Sequence, residues 1–143
     1  FVVKINNGDI DKGYLEFLDF CRETKSPHLP KVGQLKKYEN WYIIFIEKLE
    51  PSNLSRWINV DLLDFFSSDR GDNWEEFDES YYDYLLPNGS PFDDDSVKKQ
   101  FFELSNLVSS FEGNSDNGTL MNDIHSQNIM MRGSTYVITD PIS

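Results

Sequence analysis

Near the C-terminus, three oxygen-bearing side chains stand at spacings that suggest chemistry. Asp123 is followed by His125 and, five positions on, by Asn128; an apolar run and a glycine turn then lead to Asp140, twelve positions after the amide. Each fragment alone has a bland account. Asp123 and Asn128 can cap a turn, and residues 136–139 can be a buried strand ending in an Asp-Pro turn. An acidic residue with Asn five later also arises by chance in acidic loops. The full series is more specific: Asp, His, Asn, Ile-Met-Met, a Gly turn, then Val-Ile-Thr-Asp. Together these residues read as a site for a metal-bound nucleotide.

The elements that must hold these groups are legible in part. Residues 1–5 predict a short buried strand with one charge, Lys4, which by itself is an ordinary edge-strand charge. Residues 11–25 predict a helix: Tyr14, Leu15, Leu18 and Cys21 form a stripe, widened by Phe17 and Phe20. Asp9 or Asp11 can cap its start, and Ser26-Pro27 ends it. Glu16 and Glu23 are its carboxylates of interest, with a solvated helix carboxylate as the plain alternative for Glu16. Residues 32–35 and 41–46 predict antiparallel strands joined by a charged turn. The second is apolar enough for a central strand covered on both faces. Across 53–92 the pattern suggests one helix around Leu54 to Phe66 and a second over 74–86, separated by loops rich in Gly, Pro, Asn and Asp. The acidic run 75–83 is a solvated face or, less simply, a docking surface for a basic partner. Residues 96–112 predict the clearest helix, with Val97, Phe101, Leu104, Val108 and Phe111 on one face and Asp94, Asp95 or Ser96 as its cap. A polar connection follows at 113–118.

Composition excludes several classes. The chain has 143 residues, suited to one domain or a small two-lobed unit, and 15% of them are aromatic, enough for a real core. A net charge of −12 repels phosphate backbones, so no nucleic-acid partner is expected. No apolar run is long enough to cross a bilayer and no signal peptide opens the chain, so no membrane partner and a cytoplasmic location are expected. The single cysteine, Cys21, fits a reducing compartment and a buried thiol. Three Asn-x-Ser/Thr triplets, at Asn53, Asn88 and Asn117, carry no weight without a secretory signal. His28, His125 and Cys21 are too few soft ligands for structural zinc. The chain opens at Phe1 and closes three residues after Asp140, so a fragment of a longer protein is expected.

The order of these segments resembles the protein-kinase-like superfamily. Val2-Val3-Lys4-Ile5 looks like the strand whose Lys grips the ATP phosphates, and Asp-x-x-x-x-Asn with the later Asp looks like the catalytic and metal-binding loops. Within that superfamily, Phe20-Cys21-Arg22, the run Asp123 to Met130 and Ile-Thr-Asp-Pro-Ile-Ser resemble the early serine/threonine protein kinase of T-odd, short-tailed lytic bacteriophages. The resemblance implies an α+β, two-lobed, minimal or truncated kinase-like fold. Residues 1–50 would form an N-lobe with a small antiparallel sheet and one helix, without a Gly-rich loop. Residues 51–143 would form a mainly helical C-lobe with the catalytic and metal-binding loops.

The resemblance also implies roles. Lys4 would orient ATP phosphates and Glu16 would hold Lys4; Glu16 is preferred to Glu23 because Ser26-Pro27-His28 lies at the expected distance after it. Ile46 would end the strand beside the adenine, with Glu47 and Leu49 offering main-chain groups to the base. Asp123 would be the catalytic base, Asn128 and Asp140 would bind magnesium, and His125 would contact the γ-phosphate, brace the loop or be merely structural. Expected ligands are ATP and Mg2+, and expected partners are host proteins phosphorylated on Ser or Thr in the infected bacterial cell. There are departures. Met121 and Asn122 replace the usual His and Arg, Pro141 follows Asp140, and no Gly-rich loop or activation segment is present. A small-molecule phosphotransferase of the aminoglycoside or choline type, suggested by His125, and a catalytically dead binding module are the alternatives.

Overall fold

A computed structural model describes residues 1–54 and 94–142. The expected helices and acidic run between 55 and 93 lie outside the described residues. The rest is α+β, with two small antiparallel sheets and two helices. The first sheet contains β1 (Val2–Asn7), β2 (Val32–Lys37) and β3 (Trp41–Ile46), in the order β1-β3-β2. The second contains β4 (Glu50–Pro51), β5 (Ile129–Arg132) and β6 (Thr135–Ile138), in chain order.

The helices follow their apolar periodicity. In α1 (Lys12–Glu23), Asp11 is the cap, its Oδ1 accepting from Gly13 N at 2.8 Å and Tyr14 N at 3.2 Å. Tyr14, Phe17 and Leu18, at helical spacing, are buried. In α2 (Asp95–Asn114), Asp94 accepts from Ser96 N at 2.8 Å, and Phe101, Leu104, Val108 and Phe111 are buried. Phe111 meets Phe20 and Phe17 edge-on, and Phe101 meets Tyr136, so both helices and the second sheet share one core. Each fully covered side chain such as Phe17 contributes roughly 2–3 kcal/mol through burial.

Strand β3 is central, as expected, but its two faces differ. Tyr42 and Ile44 are buried, whereas Ile43 and Phe45 on the other face are only half-covered. β1 also departs from expectation: Val2, Val3 and Ile5 are exposed, because among the described residues β1 is an edge of its sheet. β5 and β6 form a hairpin in which Arg132 pairs with Thr135, and Gly133, at φ 60°, supplies the left-handed backbone of the two-residue turn. Strands β4 and β5 were not visible in the sequence. No described helix is long and apolar enough to cross a membrane.

Candidate functional site

Three separated segments converge. Lys4 on β1 reaches Asp140, just past β6, with Nζ 2.9 Å from Oδ2. The same ammonium stands 4.7 Å from the centre of the Tyr14 ring. Burial, and then the Asp140 charge, push the Tyr14 phenol well above its ordinary pKa, so it stays neutral here. Asp140 has φ 48°, a left-handed backbone that is unusual for Asp and more so before proline. The hydrogen bond from Asp123 N to Pro141 O, 2.9 Å, holds the two loops together at that point.

The second group is local. After Ile124, which is buried, Ser126–Asn128 makes a 3-10 turn that begins at His125. Asn128 Nδ2 donates to Asp123 O at 2.7 Å and to Asp123 Oδ2 at 3.3 Å. With Nδ2 facing the Asp123–His125 side, also 3.0 Å from His125 Nε2, Asn128 Oδ1 is on the opposite side of the amide. His125 Nδ1 accepts from Gln127 N at 3.2 Å, while its Nε2 lies 3.0 Å from Asn128 Nδ2 and 3.6 Å from Asp123 Oδ1. His125 therefore braces the loop and faces the outer oxygen of Asp123. Thr139 donates through both N and Oγ1 to Asn128 O, at 2.7 and 3.2 Å, which sets Asn128 beside Asp140.

Glu16 does not meet Lys4. Its carboxylate accepts instead from Ser115, Asn117 and Thr119, while Lys4 is taken by Asp140. The expected Glu16–Lys4 pair is thus replaced, because α1 turns that carboxylate toward the segment leading out of α2. Glu23 is exposed and does not substitute for it.

Of the residues expected beside the base, Ile46 ends β3 and is half-buried against the core. Glu47 spends its N–H on Lys31 O at 2.9 Å and its carboxylate on Arg132, at 2.7 and 2.5 Å. That guanidinium, and Lys31 after it, hold the Glu47 carboxyl below its ordinary range. Leu49, two residues on, is buried. Arg132 also donates to Pro27 O and Leu29 O, so it ties β5 to the linker before β2. This network gave no sequence signal beyond a charged residue on a strand.

The candidate cation ligands are Asp140 and Asn128 Oδ1, both hard oxygen donors. Among the described residues no group of three or more His, Cys, Asp and Glu could hold a metal alone. Magnesium suits such a sparse set, since it binds through one or two protein oxygens together with phosphate and water. Two clefts among the described residues lie elsewhere. One is lined by Glu16, Phe20, Phe111 and Ser115, and another by Ile10, Leu15, Tyr38 and Trp41. Burial pushes the Cys21 thiol up to about 12, which removes it as a nucleophile.

Family models, curated proteins and solved structures were all compared with the chain, and none matches.

Proposed function

We propose that this chain belongs to an ATP-dependent protein kinase of the phage type it resembles, transferring phosphate to Ser or Thr of host proteins. The supporting observation is the convergence of Lys4, Asp123, Asn128 and Asp140 from segments as much as 136 residues apart. The strand order β1-β3-β2, with a helix between the first two strands, suits a kinase-like N-lobe, and the long α2 before the Asp123 loop suits its C-lobe.

Bound magnesium would neutralise charge on the ATP phosphates, and Asp140 with Asn128 Oδ1 would hold it. Lys4 offers its ammonium to phosphate oxygens from the same place where it now meets Asp140. Asp123 receives the proton of the acceptor hydroxyl on Oδ1, because Oδ2 is already paired with Asn128. His125 Nε2, 3.6 Å from that oxygen and 3.0 Å from Asn128 Nδ2, packs the loop around it. Met121 fills the core and Asn122 stands exposed where most protein kinases carry His and Arg, so the loop is anchored by apolar packing.

The contact of His125 with Asp123 also suits a small-molecule phosphotransferase. Incubation with Mg2+ and labelled ATP separates the readings. Label on Ser or Thr of bacterial proteins is the expected result, and label on small alcohols supports the alternative. No transfer to either, with ATP saturating, overturns both.

A further inference from the structure

Glu16 is half-exposed on α1, and among the described residues its four hydrogen-bond donors all come from the turn that follows α2. Oε2 accepts from Ser115 Oγ at 2.8 Å and from the Thr119 hydroxyl; Oε1 accepts from Asn117 N at 3.3 Å and Asn117 Nδ2 at 2.9 Å. Thr119 N closes the turn by donating to Ser115 Oγ at 2.8 Å. Further along, Met121 N donates to Glu112 Oε2 at 2.8 Å, its side chain is fully buried, and Asp123 N then holds Pro141 O. The helix touches this segment a second time: a Cβ on Gly13 would come within 2.8 Å of Thr119 Cγ2 and 3.4 Å of Ile142 Cγ2. The first turns of α1 therefore contact the chain on both sides of the site, just before Asp123 and just after Asp140.

We infer that Glu16 is a positioning residue for the proposed phosphoryl transfer: its carboxylate clamps the 115–119 turn and so sets where Asp123 stands. It does this without acting on Lys4. A carboxylate that accepts from one backbone amide, one side-chain amide and two hydroxyls of a single turn fixes that turn in both direction and distance. These donors, with Thr119 contributing most, also hold the Glu16 carboxyl below its ordinary pKa, so it is ionised at neutral pH. From Thr119 to Asp123 the chain has little freedom, since Met121 is fixed by both its amide and its buried side chain. Release of the turn therefore displaces the base.

The inference rests on the kinase reading, so the experiment has one arm with nucleotide and one without. With Mg-ATP and a Ser-containing acceptor, Glu16→Gln and Thr119→Val should each lower kcat by roughly 10–100-fold, the cost of a misplaced reacting group. KM for ATP should stay within about twofold, since uniform binding is untouched. Thr119→Ser, which keeps the hydroxyl, should restore the rate, and the double variant should be no worse than either single one. Lys4→Met should instead raise KM for ATP, and its effect should multiply with that of Glu16→Gln. A Glu16 variant that mimics Lys4→Met and is not additive with it overturns the inference. Without nucleotide, Glu16→Gln should speed amide exchange at Asn117, Thr119 and Asp123 by about tenfold while β3 is unchanged. Unaltered exchange at Asp123 sinks the clamp even if the protein proves not to be a kinase, and absence of transfer in the wild type sinks only the kinase reading.

Discussion

Two carboxylates near this site have opposite surroundings. Asp140 faces a single cation, half-exposed, on a left-handed backbone before proline. Glu16 faces neutral donors that fill both of its oxygens. A lone ion pair at that exposure is worth little to stability, so under the proposed function Lys4 and Asp140 would part cheaply for phosphate and metal. A carboxylate saturated by one turn has nothing to gain by leaving it. Under the proposed function, the contrast suits ligand chemistry at Asp140 and architecture at Glu16.

The largest effects should come from the ligand side. Asp123→Asn and Asp140→Ala should each lower transfer by about 10²–10⁴-fold while far-UV dichroism is unchanged. Appreciable activity in either would remove the roles given to these oxygens. Lys4→Met should weaken ATP binding by roughly tenfold, measured calorimetrically; unchanged affinity would mean that Lys4 serves only Asp140. On the architectural side, Gly13→Ala should cost about 1–3 kcal/mol in chemical denaturation, because the new methyl meets Thr119 and the Asp11 cap. A neutral result there would show α1 free to move away from the turn, and would blur the distinction.

The smallest effect concerns a third carboxylate, Glu47, which combines a cation partner with a structural task. Its folded pKa is lowered from 4.5 by Arg132, so its contribution to stability is fully present above the unfolded value and is lost as pH falls through the folded one. Glu47→Gln should therefore destabilise modestly at pH 7 and flatten the acid limb of the stability curve below about pH 4.5. An unchanged acid limb would detach Glu47 from that role.

What the residues revealed depended on distance along the chain. Helices α1 and α2 were legible because caps and apolar spacing act within a turn or two, as Asp11 and Asp94 show. The Asp123–His125–Asn128 group was legible because its bonds span no more than five residues. Lys4 and Asp140 were joined only through a family resemblance, since nothing in either segment points to the other. Glu16 was assigned the wrong partner for the same reason: its donors lie 99 to 103 residues away and are Ser, Thr and Asn, which occur on any surface. β1 was expected to be buried because alternation and apolar content cannot distinguish a central strand from an edge.

Among the described residues, the sequence by itself determined which segments are helical, which strand is most apolar, and that Asn128 folds back on Asp123, since local sterics and short hydrogen bonds decide those. The tertiary structure decided which carboxylate meets the lysine, which strand is left at an edge, and which helix holds the turn before Asp123. Those outcomes depend on how sheets and helices pack, and a charge or hydroxyl in a sequence carries no record of what it will face.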